Sequence, residues 1–173
     1  MSAPSDKHPA RTGQKLDSFD LRILSEIQRD GRITKLALAE KVGLSPTPCW
    51  TRLKRLEDIG VITGYHARLS ARAVGPIASV FVEVTLGSHR QADFDRFETA
   101  IRNEPAVTSC WALGGGVDYL LKTVTSDIDS YQRLMDRLLE AEIGIDRYFT
   151  YIVTRVVKDE PELPLQPLLD SGA

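Results

Sequence analysis

Long apolar runs are missing from this chain: no stretch approaches the ~20 residues that a membrane-spanning helix needs. Cysteine is scarce too. Cys49 and Cys110 are the two present, too few for a disulfide framework or a zinc site, which makes a reducing compartment the simplest home. The histidines, His8, His66 and His89, are scattered and fall into no Ser/His/Asp or metal-ligand spacing. The carboxylate pairs Asp93/Asp95 and Asp127/Asp129 sit at helix starts, where the helix dipole accounts for them. Glu140 and Glu142 read as solvated surface. Lys7 and Arg11 near the start are not followed by the apolar segment of a secretion signal. Together these absences exclude a disulfide scaffold, a metal centre and a recognisable catalytic relay. The expectation is a cytoplasmic protein with no membrane partner, no catalytic residues, no metal and no cofactor.

Hydrophobic residues make up 42% of the 173 and charged residues 27%, enough to bury a core. The net charge of -2 argues by itself against a nucleic-acid binder, but its distribution does not. Residues 17–72 hold ten Lys and Arg against seven Asp and Glu, whereas residues 73–173 hold nine against sixteen. A basic front and an acidic back suggest two domains with separate partners.

The front half centres on the run from Leu44 to Leu56. Ser45 is placed to cap a helix and Pro46 to occupy its first turn. Cys49, Leu53 and Leu56 recur on one buried stripe. Thr47, Thr51, Arg52, Lys54 and Arg55 lie off that stripe, a basic surface suited to a DNA major groove. Two helices precede it. Asp17 caps the first, with Asp20 three residues on, Leu16 and Leu21 as a hydrophobic staple and Leu21, Leu24 and Ile27 inward. Thr34 caps the second, Leu38, Ala39 and Val42 face inward, and Gly43 ends it. Two short helices joined through a glycine turn make a helix-turn-helix. Val61–Tyr65 is a short β-like run, a wing or return strand.

The back half changes period. Strands are expected over Ile77–Leu86, Val107–Leu113, Val117–Val124 and Ile145–Val157. A helix over Ala92–Asn103 turns Phe94, Phe97 and Ile101 inward. Another, capped by Ser126, buries Ile128, Tyr131, Leu134, Met135 and Leu138. The order β-α-β-β-α-β is the ferredoxin-like split unit. Its helices cover one sheet face. The other carries either Tyr148, Thr150 and Ile152 or Phe149, Tyr151 and Val153 from the last strand, which suggests two sheets packed face to face in a dimer. The fold class is therefore α+β: a winged helix-turn-helix of three helices plus short strands, then a ferredoxin-like domain. The divisions are a flexible arm (1–15), the DNA-binding domain (16–64), a linker (65–76) closed by Gly75 and Pro76, the sensing domain (77–158) and a tail (159–173) that lies on a neighbour or stays loose.

Several segments in a fixed order resemble the Lrp/AsnC family of transcriptional regulators. These are Leu16-Asp17…Asp20…Ile23-Leu24, the run Leu44 to Trp50, Arg52-Leu53-Lys54-Arg55-Leu56, Gly60-Val61-Ile62…Gly64-Tyr65, Gly115…Asp118-Tyr119-Leu120-Leu121 and Thr150-Tyr151-Ile152-Val153. The resemblance spans Leu16 to about Lys158. It implies double-stranded DNA as partner, with Ser45, Thr47, Pro48, Trp50, Thr51, Arg52, Lys54 and Arg55 at the interface. It implies homodimers that assemble into tetramers or octamers. It also implies an amino acid or related metabolite bound between subunits near Gly114, Gly115, Gly116, Val117 and Asp118. The glycine amides can hold a carboxylate, Asp118 can accept from an ammonium, and Thr150 can add a hydroxyl from the same or a facing subunit. The bland alternative is a tight hairpin capped by Asp118. The chain departs from the family pattern at Gly114 and Gly116, where larger residues are common, and at Thr51, where a base is frequent. Trp50 either packs on the sugar-phosphate surface or shields the helix.

Three functions compete on these residues. The first is a sequence-specific regulator of amino-acid metabolism or transport genes that responds to an amino acid. The second is a DNA-compacting protein without ligand response. The third, an enzyme on the back half, has no catalytic constellation to support it.

Overall fold

The computed structural model describes residues 16–160 and 162–165, so the arm at 1–15 lies outside the described residues. The chain divides into two compact units, one from the front of the chain together with residues beyond Asp159, the other running from Leu69 to Asp159.

The first unit, the head, holds α1 (Ser18–Arg29), α2 (Lys35–Val42) and α3 (Pro46–Asp58). Asp17 caps α1 through the amides of Phe19 and Asp20, and the Asp20 side chain closes the capping box by accepting from the Asp17 amide. Thr34 caps α2 through Ala37, and Gly43 ends it at φ 73, the left-handed conformation that glycine adopts without steric cost. Ser45 stands at the N-cap of α3, but its hydroxyl makes no capping bond. Pro46 still enters the first turn, where an amide donor is not needed. The core is Ile23, Leu24, Leu38, Ala39, Val42, Cys49, Leu53 and Leu56. The α1 stripe thus runs through Ile23, with Leu21 half-buried beside it. The short strand expected over Val61–Tyr65 does not form. Those residues follow a bent, irregular path, and among the described residues no strand pairs with them. The tail neither stays loose nor seeks a neighbour at residues 163–165. It returns to its own head, where Leu165 packs against the core.

Between the expected domains, Ala71–Val74 forms a four-residue helix, α4, that belongs to the second unit. That unit holds β1 (Ala78–Leu86), α5 (Gln91–Arg102), β2 (Val107–Ala112), β3 (Tyr119–Thr125), α6 (Ile128–Glu140) and β4 (Ile145–Ile152). The sheet is antiparallel in the order β2-β3-β1-β4, the ferredoxin-like arrangement expected. Val80, Val82, Val84 and Leu86 alternate inward on β1 and meet Leu121 of β3, Phe97 and Ile101 of α5, and Leu134, Met135 and Leu138 of α6. Each such side chain contributes about 1.5–3 kcal/mol when fully buried.

Three local readings change. Asp127, not Ser126, caps α6, because its carboxylate reaches the Ser130 amide at 2.6 Å while the Ser126 hydroxyl turns to Asp127 and Ser130. Ile128, in the first turn of α6, is exposed. Strand β4 stops at Ile152: β1 begins at Ala78, so beyond the bond from the Val153 amide to Ser79 there is no strand left to pair.

Register decides between the two candidate sets for the open sheet face. Tyr148 and Thr150 lie opposite Val84 and Val82 on the helix side, whereas Phe149 and Tyr151 lie opposite Glu83 and Phe81. Trp111 lies opposite Leu120 on the same open side. Trp111, Phe149 and Tyr151 are each 45–50% exposed. Glu83 interrupts this aromatic patch and accepts from the Tyr151 hydroxyl at 3.0 Å, but so many exposed rings on one face are uncommon on a monomer's surface.

Candidate functional site

The outer face of α3 begins with Thr47, Pro48, Trp50 and Thr51, all exposed. The Thr51 hydroxyl donates to the Thr47 carbonyl at 3.1 Å, which leaves its methyl outward. Trp50 does not merely shield the helix: Lys35 Nζ, at the start of α2, sits 3.3 Å from the centre of its ring. That cation–π contact sets a second positive charge beside the Thr47–Thr51 turn. Lys54 is exposed and makes no ion pair among the described residues.

Arg52 and Arg55 behave differently. Arg52 Nη1 donates to Asp17 Oδ2 at 2.6 Å and to Asp20 Oδ1 at 2.9 Å. Arg55 Nη2 donates to Asp20 Oδ2 at 2.6 Å. Asp20 is 1% exposed, so its charge is removed from water and both oxygens are met by guanidinium groups. The two arginines stay about one-third exposed. They tie the recognition helix to α1 and line, with Thr47, Pro48 and Thr51, an open depression on the outer face. Asp20 reads in the sequence as a capping residue. Its second role needs the packing of α1 on α3, which no local pattern carries.

The hydrogen bond from the Asp20 amide holds the Asp17 carboxyl below its ordinary range; burial opposes it, and the Arg52 guanidinium adds to the lowering. With the folded value depressed, this stabilisation is complete above the unfolded value of about 3.9 and is lost as pH falls through the folded one. The head is therefore expected to lose stability progressively as pH drops below about 5. Asp17→Asn should lower the denaturation midpoint near neutrality and flatten its acid dependence, as followed by urea titration at several pH values.

In the second unit the Gly114–Gly116 turn joins β2 to β3. A Cβ at any of the three glycines would meet nothing within 4 Å. Packing therefore does not demand glycine here, and the exposed backbone is open to a small molecule. Val117 is half-buried behind them. Asp118 is already engaged. Leu86 donates its amide to Oδ2 at 2.8 Å, His89 Nε2 lies 3.0 Å from Oδ1, and the Asp118 amide donates to Val84 at 3.0 Å. It fastens the hairpin to the end of β1, with two lone pairs per oxygen leaving room for one more donor. The His89 contact crosses from the β1–α5 loop and has no signature in the sequence. Thr150 is not brought to this turn within the chain. Strand β1 lies between β4 and the hairpin, and the Thr150 hydroxyl is hydrogen-bonded to Tyr131 at 2.5 Å.

With this geometry in view, two family descriptions match the chain. A winged helix-turn-helix DNA-binding domain matches residues 16–63, and the Lrp/AsnC ligand binding domain matches residues 79–163. The chain is 52% identical over 144 residues to the transcriptional regulatory protein DoeX of Halomonas elongata, covering 83% of this chain and 91% of that one. It is 39% identical over 156 residues to the leucine-responsive regulatory protein of Escherichia coli, covering 90% and 95%. Among solved structures, a transcriptional regulator from Neisseria meningitidis in complex with L-methionine superposes with a TM-score of 0.83 at 34% identity, covering 89% of this chain and 99% of that one. An AsnC-family regulator from Agrobacterium tumefaciens gives 0.83 at 35% identity, covering 88% and 99%.

Proposed function

The chain belongs to the Lrp/AsnC family of DNA-binding transcriptional regulators, and on that premise we propose that an amino acid or related metabolite at its glycine turn controls how it binds double-stranded DNA. The observation that carries the reading is the split on α3. Cys49, Leu53 and Leu56 are buried, while Thr47, Pro48, Trp50, Thr51 and Lys54 face solvent beside Lys35. Those outward residues make the base and phosphate contacts, and Arg52 and Arg55 chiefly orient the helix that carries them. Ser45 contributes its backbone at the helix start. The target genes are those of amino-acid metabolism or transport.

The effector's carboxylate meets the amides of Gly114–Gly116, and its ammonium approaches Asp118. Thr150, on the helix side of its sheet with its hydroxyl on Tyr131, joins such a site from a copy other than the one paired across the open face. The methionine bound by the Neisseria regulator supports this ligand class. Two copies pair through the open face of Trp111, Phe149 and Tyr151, and pairs associate into tetramers or octamers. The effector acts by favouring one arrangement of subunits over another, which requires a difference in its affinity for the two.

Two measurements test the reading. In gel shifts at several salt concentrations, Lys54→Ala should weaken binding to all duplexes and lower the salt slope by about one unit. An unchanged slope removes Lys54 from the interface. In a thermal-shift screen of the amino acids, the true effector at a hundredfold excess over its Kd should stabilise the protein by about 2.7 kcal/mol. Gly114→Val, at an open surface position, should change stability itself by less than about 0.5 kcal/mol and abolish that shift. If no amino acid shifts the wild type, the effector part of the reading falls.

A further inference from the structure

We infer that Glu162–Leu165 is a clasp that completes the DNA-binding head, recognised by Gln28 on the face of α1 and by the loop that follows α3. The Gln28 side chain addresses both backbone groups of one residue. Its Oε1 accepts from the Leu163 amide at 2.8 Å, and its Nε2 donates to the Leu163 carbonyl at 3.3 Å. A carboxamide is the side-chain group able to accept and donate side by side in this way, and it reads an extended backbone whatever side chain that backbone carries. Leu165 then packs on the head's core. Leu163 and Leu165 close one side of a groove of about 370 Å³ whose other walls include Ile27, Gly31, Ile62, Tyr65 and His66. Pro164 stands between the two leucines. It needs no amide partner and fixes its own φ, so the segment loses little conformational freedom on docking.

The occupant is this chain's own segment, because the bonds and the packing are made within one copy. The chain leaves the head after Arg68 and belongs to it again beyond Asp159. A clasp that orders the α1 face and the loop after α3 before DNA binds is a restraint that adds to affinity.

The hydrogen-exchange arm reads the clasp directly and does not depend on DNA or effector binding, so its failure is distinct from failure of the proposed function. Hydrogen exchange is followed on the full chain, on Gln28→Ala, on Leu165→Asp and on a chain ended after Asp159. The Leu163 amide should exchange about tenfold or more slowly than an unstructured chain in the wild type, and at the unstructured rate in Gln28→Ala and Leu165→Asp. Sheet amides should be unaffected throughout. Gel shifts with a fixed duplex should then show a roughly three- to tenfold loss of affinity for the shortened chain, the scale set by the few rotors no longer ordered in advance. Fast Leu163 exchange in the wild type overturns the proposal, as does an unchanged duplex affinity on shortening. A mixture of Gln28→Ala, which keeps its tail, with the shortened chain, which keeps its groove, separates the two possible sources of the segment. Return of Leu163 protection in that mixture would place the tail on a second copy and overturn the assignment to its own head. Continued fast exchange supports it.

Discussion

Arg52→Met combined with Arg55→Met is expected to destabilise the head by about 3–5 kcal/mol, the usual cost of stranding a buried charge by removing its partners. Asp20 is the charge stranded. It is 1% exposed, and its two oxygens meet Arg52 at 2.9 Å and Arg55 at 2.6 Å. Methionine keeps much of the arginine stem's apolar packing, so the loss reports on the ion pairs rather than on a cavity. Against a total stability of 5–15 kcal/mol for an ordinary domain, the head would approach the point where it unfolds. Chemical denaturation of the full chain, read by hydrogen exchange in α1–α3, measures it. Adding Asp20→Asn to the double variant should restore a good part of the loss, because the neutral amide no longer needs a cation. The opposite pattern, full stability with abolished DNA binding, would make these arginines DNA contacts and reverse the division of labour on α3.

Trp111→Glu with Phe149→Glu is expected to turn an oligomer into monomers in sedimentation velocity, with each unit still folded. Both side chains stand about half exposed on the sheet face opposite the helices, so neither is needed by the core that Val82, Phe97 and Leu134 form on the other side. A carboxylate placed in an interface core must be desolvated without a partner, which costs several kcal/mol. In the proposed pair the second DNA contact is intramolecular, so the monomer should lose about a hundredfold or more in affinity for a two-fold site. If the double variant remains an oligomer of unchanged size, the open face is not the pairing surface.

Most of the element order is written in local patterns. Caps at Asp17 and Thr34, the stop at Gly43 and the stripe of Cys49, Leu53 and Leu56 need no knowledge of distant residues, and each appears in the structure. Strand alternation from Val80 to Leu86 is likewise local. Errors came where an outcome depends on a neighbour far along the chain. Strand β4 ends where β1 begins, which no feature of residues 153–157 announces. Serine and aspartate both cap helices well, so residue type alone does not separate Ser126 from its neighbour, and the geometry puts the cap on Asp127. The sheet's open side could be narrowed to two alternating sets but not chosen, because alternation fixes parity and not which parity faces the helices. At the sites, residue types and positions were legible, while their partners were not. Asp20 beneath the arginines, Lys35 on Trp50, His89 on Asp118 and Leu163 on Gln28 are all contacts between separate elements.

The fastening of the glycine hairpin has a mechanical corollary. Asp118 holds Leu86 and Val84 at the end of β1, and the same strand carries Phe81 and Glu83 across to Tyr151 and Phe149 on the opposite side of the sheet. A stiff rod therefore runs from the turn to the surface where a twin molecule would rest. A ligand that displaces the glycines is therefore expected to pull on the end of β1, the strand that also seats the proposed pairing surface.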